Sequence, residues 1–275
     1  MTSWDSMKGA NALSLTAGIS LMHQYGHDIG GFEGPQPSPQ LLLRWVQLVW
    51  TKRLKRGEEQ YWFGDTLLVG GVYEPGASEA QVYLPRKAGD QFDHGYVNLN
   101  APHQYLASGQ WTTISSPWQD HIPVLAKVGG ALPVGKSVQT RMSGDVDPAC
   151  KTLEEDDYRG VEIFPPKASS YGTSFSGSWY EDDGLSLKPN ISKFTIEYGS
   201  IEEKVEVSLS SRAGDTFIPP LKEVVVILPQ ADKRHVVSAR GEGLTKLDAD
   251  EAGRTRYHLP APFAIPEQQL VNGYH

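Results

Sequence analysis

Ile122-Pro-Val-Leu-Ala-Lys-Val128, then Gly129-Gly130, then Ala131-Leu-Pro-Val134: this stretch decides the fold class. Its two apolar runs are too short for ordinary helices and are separated by a pair of glycines, the punctuation of strands. The same pattern recurs on both sides. Thr66-Leu-Leu-Val69 lies between Gly64-Asp65 and Gly70-Gly71, and Ala80-Gln-Val-Tyr-Leu84 stops at Pro85. Downstream come Val161-Glu-Ile-Phe164, Lys193-Phe-Thr-Ile-Glu-Tyr198, Lys204-Val-Glu-Val-Ser-Leu209 and Glu223-Val-Val-Val-Ile-Leu228, all rich in β-branched residues. Lys204–Leu209 alternates polar and apolar, as a half-exposed strand does. Residues 141–157 are polar and end in Glu154-Glu-Asp-Asp157, which reads as a solvated connector. The spacing therefore predicts two antiparallel sandwiches, one on either side of that connector.

The front of the chain reads differently. Leu13 to Tyr25 is small and apolar, suiting a buried helix that leads into a strand near Gln24–Tyr25. A polar, glycine-rich corner follows at Gly26-His-Asp-Ile-Gly-Gly-Phe32. Pro35-Gln-Pro-Ser-Pro39 is held extended by its prolines. Ser38 then caps a helix with Pro39 at its first position and Leu41–Trp45 inside it. Helix, strand, loop, helix is a piece of α/β architecture.

Composition excludes several classes. Lys plus Arg total 25 against 33 Asp plus Glu, a net charge of −8, which argues against nucleic acid as a partner because no basic stripe can replace phosphate counterions. The single cysteine, Cys150, rules out an internal disulfide or a Cys-rich zinc site. The longest apolar run, Leu13–Leu21, is too short for a membrane span. Met1-Thr-Ser-Trp-Asp5 lacks the basic start and apolar core of a signal peptide. His23 and His27 are four apart, but the strand-to-loop reading separates them and no Glu sits between them, so no metal is expected. No cofactor is expected either. Asn190-Ile-Ser192 fits a glycan acceptor should the chain enter a secretory compartment.

Trp4, Tyr25-Gly-His-Asp-Ile-Gly-Gly-Phe-Glu-Gly34, Arg44-Trp-Val-Gln47, Phe63-Gly-Asp-Thr-Leu-Leu-Val69, Val82-Tyr-Leu-Pro85, Ile122-Pro-Val124 and Tyr180-Glu-Asp-Asp-Gly184 occur in this order. Together they resemble the C-terminal half of glycoside hydrolase family 31, the α-glucosidases and α-xylosidases. The resemblance implies a mainly β chain: a partial α/β remnant of a (β/α)8 barrel at 1–60, a proximal β-sandwich at 61–140 and a distal one at 150–275. Its implied partner is an α-linked oligosaccharide or glycan.

Retaining hydrolysis needs two carboxyl groups about 5–5.5 Å apart, a nucleophile and a proton donor. The family's nucleophile lies in a Trp-x-Asp-Met-Asn-Glu-like segment, which this sequence lacks. Its acid/base lies in a Gly-Asp-Asn-x-x-Ser-Trp-like segment, whose aspartate would fall just before Met1; Asp5, on the far side of Trp4, does not replace it. By resemblance, Asp28 and Phe32 line the −1 sugar subsite. Taken alone, Asp28 reads first as a turn carboxylate, a reading the motif reverses, and Phe32 reads equally as a core residue, while Trp4 would pack the pocket wall. Asp65 and Glu181-Asp182-Asp183 are by resemblance turn residues of the sandwiches. A second family segment, which follows Arg-Trp-x-Gln and holds a pocket histidine and the last barrel strand, looks excised near Leu48–Val49.

A complete barrel takes roughly 200 residues or more. Leu13–Leu21 and Leu41–Trp50 are therefore expected to stay exposed or to dock imperfectly, since parallel strands are buried on both faces. The function expected is that of an inactive enzyme fragment. The alternatives are a non-catalytic carbohydrate-binding module, for which seven Trp and twelve Tyr could furnish stacking platforms, and a scaffold piece.

Overall fold

The computed structural model describes residues 2–19, 28–29, 31, 33–49, 60–86, 95–100, 103–135, 157–167, 173–182, 189–201, 203–212, 217–219 and 221–260. The chain divides into two compact units, Met1–Val128 and Gly129–His275.

The first unit opens with two helices, α1 (Trp4–Ile19) and α2 (Pro39–Val49). Each begins on a serine. The Ser3 hydroxyl oxygen accepts the Ser6 N–H at 3.0 Å and that of Ser38 accepts the Leu41 N–H at 3.2 Å. Each bond satisfies one of the donors that a helix start leaves unpaired. The cap and proline expected for α2 are in place, whereas α1 starts well before Leu13, on a cap whose signal lay in Ser3. Gln24–Tyr25 lies outside the described residues.

Seven strands follow: β1 (Gln60–Phe63), β2 (Leu67–Gly70), β3 (Glu79–Leu84), β4 (Tyr96–Asn98), β5 (Tyr105–Leu106), β6 (Gln110–Ser115) and β7 (Val124–Lys127). Five form an antiparallel sheet in the order β1-β2-β7-β4-β5, and β3 pairs with β6 in a second. The period of two along a strand explains how the larger sheet is covered on both sides. Leu68, Leu125 and Tyr96 join Val82, Leu84 and Ile114 in a core shared with β3 and β6. Val69, one residue after Leu68, joins Tyr61 in another core with Met7, Leu41 and Trp45 of the helices. Every residue of β2 is buried as a result.

The helices are thus docked more firmly than expected. Met7, Leu41 and Trp45 are all under 5% exposed, although Leu13 and Leu42 remain 55% and 40% exposed. Among the residues whose burial is described, Leu13 and Leu42 show the expected imperfection. The larger sheet supplies an apolar face to which one stripe of each helix adheres.

The second unit holds β8 (Ala131–Val134), β9 (Tyr158–Ile163), β10 (Ser174–Glu181), β11 (Ser192–Ile201), β12 (Lys204–Ser211), β13 (Glu223–Leu228), β14 (His235–Ser238), β15 (Lys246–Leu247) and β16 (Thr255–His258). Two sheets, β15-β16-β13-β9-β8 and β10-β11-β12-β14, close on one core. Val161, Ile163, Val224, Val226 and Leu228 from the first sheet meet Trp179, Phe194, Ile196, Val205 and Val207 from the second. This is a β-sandwich. Most of its pairings are antiparallel, but β9 with β13 and β12 with β14 run parallel. Parallel neighbours need a crossover, and the chain provides one by leaving each sheet for the other between the paired strands.

The opening stretch proves to be the point of division. β7 pairs with β2 and β4, whereas β8 pairs with β9 (Leu132 opposite Glu162). Gly129 N–H donates to the Phe164 carbonyl at 2.8 Å, joining the turn to the second unit. Ala131–Val134 therefore opens the second sandwich instead of closing the first, upstream of the polar connector. The two sheets approach closely at Gly177, where a Cβ would lie 2.6 Å from that of Ala131.

Candidate functional site

The corner carrying Asp28 is built by local hydrogen bonds. The Asp28 carbonyl accepts the Gly31 N–H at 3.2 Å, closing a tight turn that leaves Asp28 exposed. The far end of the corner is joined to the start of the chain. Thr2 N–H donates to the Glu33 carbonyl at 2.8 Å, and the Thr2 hydroxyl donates to the same oxygen at 3.3 Å. Gly34 makes this approach possible: its φ is 118°, and a Cβ there would sit 3.3 Å from the Thr2 nitrogen. Thr2, which leads into α1, and Glu33, five residues past Asp28, thus lie side by side, though thirty residues separate them in sequence. Among the described residues, none takes the Asp28 carboxylate. Phe32, His23 and His27 lie outside the described residues.

Trp4 is half-buried and packs against the cluster containing Met7 and Trp45. Asn11, one α1 turn beyond Met7, is buried and donates to the Tyr73 hydroxyl at 3.0 Å. These contacts fix α1 against the sheet that follows.

Arg44 has a role that its motif alone did not disclose. It is fully buried, and burial lowers its pKa from the ordinary arginine value. Its Nη1 donates to the His121 carbonyl at 3.0 Å, and Nη2 donates to the Ser116 carbonyl. The Ser116 hydroxyl also donates to His121, at 2.6 Å. Arg44 therefore ties α2 to the 116–121 loop, where its several donors match carbonyls left unpaired by the sheet. The available signal was a charged residue inside Leu41-Leu-Leu-Arg-Trp-Val46, where an amphipathic helix has its apolar face.

The remaining acidic candidates fall into structural settings. Asp65 is exposed between β1 and β2. Glu181 accepts Arg159 through both oxygens, at 2.7 and 2.9 Å, and also the Trp179 indole N–H at 2.8 Å. Asp182 is exposed, and Asp183 lies outside the described residues. Asn190 is exposed, while Ser192 is buried, its hydroxyl donating to the Phe217 carbonyl. No group of three or more His, Cys, Asp or Glu is placed to hold a metal among the described residues. No described helix is long and apolar enough to cross a membrane. In the second unit, a depression of about 310 Å³ is lined by Ser174, Glu197, Gly199, Glu206 and Ser208.

Comparison with known proteins matches these features to one family. Residues 1–55 match the TIM-barrel domain of the family 31 glycosyl hydrolases, and residues 40–132 match the family 31 C-terminal domain. Over residues 1–132 the chain is similar to glycoside hydrolase family 31. It is 28% identical over 149 residues to an isomaltosyltransferase of Sporosarcina globispora, covering 54% of this chain and 12% of that protein. The family 31 dextranase of Flavobacterium johnsoniae, solved with glucose, superposes with a TM-score of 0.70 at 17% identity, covering 94% of this chain and 41% of that one. The cycloalternan-forming enzyme of Listeria monocytogenes, solved with a pentasaccharide substrate, gives a TM-score of 0.66 at 16% identity, covering 95% and 30%. These two similarities extend the family 31 fold through the second sandwich. The chain spans less than half of each of these proteins.

The two family matches overlap at 40–55. The C-terminal-domain match begins inside α2, and the barrel-domain match runs past the end of that helix to residue 55. Arg44 and Trp45 lie in that shared segment, and through them a barrel helix is fastened to a sandwich.

Proposed function

We propose that this chain is the C-terminal part of a retaining family 31 enzyme that hydrolyses terminal α-glucosidic or α-xylosidic bonds, and that by itself it is inactive. The observation that carries the reading is the hydrogen bonding of Thr2 to Glu33. It joins Thr2, next to the Ser3-Trp4 end of the acid/base-like segment, to Glu33, five residues past Asp28. In this reading Asp28 and Phe32 line the sugar subsite, with Asp28 accepting two hydroxyl hydrogen bonds through its carboxylate. One carboxylate cannot serve as both nucleophile and proton donor. The sequence holds neither of the segments in which the family places those groups. Loss of both removes covalent and general acid catalysis together.

The test is direct. The purified chain should turn over 4-nitrophenyl α-glucoside and 4-nitrophenyl α-xyloside no faster than a buffer blank. Turnover well above the blank, abolished by Asp28→Asn, would overturn the inactive-fragment reading.

A non-catalytic saccharide-binding module is the second reading. It is favoured by aromatic side chains left in water on the first unit: Tyr83 is 38% exposed and Trp111 is 64% exposed.

A further inference from the structure

β3 and β6 form a two-stranded sheet whose faces differ sharply in character. Val82, Leu84 and Ile114 point into the core. The opposite face presents three cross-strand pairs in a row: Tyr83 with Trp111, Gln81 with Thr113, and Glu79 with Ser115. The Tyr83 and Trp111 ring centroids are 5.5 Å apart, with the rings tilted at 54°.

This face is held in position before any ligand arrives. Tyr83 N–H donates to Gln60 Oε1 at 2.7 Å, and Gln60 Nε2 donates to the Tyr83 carbonyl at 2.8 Å. The Tyr83 peptide groups therefore point away from β6. Pairs of that kind bring their side chains closest together, so the indole and phenol are pressed into one platform. On the next pair, Gln81 Nε2 donates to the Thr113 hydroxyl oxygen at 2.7 Å. That bond fixes both side chains and leaves the Gln81 amide oxygen as acceptor and the Thr113 O–H as donor toward solvent.

The chemistry along the strip selects the ligand class. An aromatic face receives the C–H face of a pyranose ring, and the amide, hydroxyl and carboxylate groups beside it receive ring hydroxyls. The six outward residues include one acid and no base, which disfavours phosphates and nucleic acid. A protein partner would call for a broader apolar centre than one aromatic pair. At about 3.4 Å per residue, Glu79 stands roughly 14 Å along the strand from Tyr83, room for an oligosaccharide and not only a single sugar.

We propose that Tyr83 and Trp111, extended by Gln81, Thr113 and Glu79, form a surface site for a neutral oligosaccharide, with a pyranose ring stacked on the indole. The site uses none of the residues of the Asp28 corner. It rests on the saccharide-binding reading for its ligand class and on neither catalytic carboxylate.

The experiment is calorimetric titration of the full chain with isomaltotriose and with maltoheptaose. Trp111 is exposed, so truncating it should leave the fold intact, and a melting curve for each variant checks this. At least one of the two sugars should bind. Trp111→Ala should weaken that binding about tenfold or more, as expected for loss of an aromatic anchor. Trp111→Phe should keep affinity within a few-fold, and Tyr180→Ala, an exposed tyrosine of the second unit, should leave it unchanged. Equal affinity in wild type and Trp111→Ala overturns the site. Loss on Tyr180→Ala with Trp111→Ala unaffected also overturns it while sparing the module reading. Absence of binding by either sugar overturns both.

Discussion

The two units bury their apolar residues by different means. The second closes two sheets on a core supplied by its own strands, from Val161 on β9 to Tyr257 on β16. The first surrounds its larger sheet with unlike partners: two strands on one side and two helices on the other. Those helices bury Met7, Leu41 and Trp45 yet leave Leu13 and Leu42 in water. A helix shaped for a barrel has a wider apolar surface than one sheet face can cover. The contrast shows that a few well-placed side chains can fasten a barrel helix to a sandwich without completing the barrel.

Breaking that fastening should produce the largest effect. Trp45→Ala removes the largest fully buried side chain among the described residues. It should cost about 3–5 kcal/mol of first-unit stability, the range for a large aromatic lost from a core. Hydrogen exchange should show faster exchange across α1, α2 and β2, with β9–β13 protected as before. Equal loss of protection in both units would mean that they unfold as one body, and the comparison would fail.

The converse test acts on the second unit. Gly177→Val places a branched side chain where a Cβ already meets Ala131 at 2.6 Å. Overpacking of this kind costs about 1–3 kcal/mol. Protection should fall in β8–β13 and remain in β2 and β7.

Smaller effects sharpen the picture. Ser38→Ala deletes the α2 cap and should cost about 1 kcal/mol, read as a lower melting midpoint of the first unit. The smallest is pH-dependent. Burial pushes the Asp250 carboxyl up, but hydrogen bonds and charge from Arg254 outweigh it and hold the carboxyl below its ordinary range. A carboxyl with a depressed folded pKa stabilises the fold above its unfolded value of about 3.9 and loses that contribution as pH falls through the folded value. Second-unit stability should therefore decline below about pH 4. Asp250→Asn should flatten that part of the acid denaturation curve, and an unchanged curve would remove Asp250 from the account.

Much of the fold was legible in local sequence. Ser38-Pro39 marked a helix start, and Gly70-Gly71 and Pro85 marked strand ends, because capping and backbone restriction act over a few residues. The start of α1 was not legible from hydrophobicity, because its Ser3 cap lies well before the apolar run at Leu13–Leu21. The parallel pairings of β9 with β13 and β12 with β14 were not legible, since pairing direction depends on the route between sheets. Of the candidate site, Asp28 was marked by its motif, but the pairing of Thr2 with Glu33 was not, because a backbone hydrogen bond across thirty residues leaves no pattern in either segment. Arg44 stood out as a charge among leucines, yet its carbonyl partners at 116 and 121 lie some seventy residues away.

By itself the order of residues determined the strand-rich class, the helix cap at Ser38 and the family motifs, all set by side-chain chemistry acting over a few neighbours. Tertiary structure alone decided that Val124–Lys127 and Ala131–Val134 part company at Gly129, that Arg44 binds a distant loop, and that Tyr83 and Trp111 share one exposed platform. The physical reason is the same in each case. Strand pairing and buried hydrogen bonds join groups far apart along the chain, and their free energy depends on the partner as much as on the residue itself.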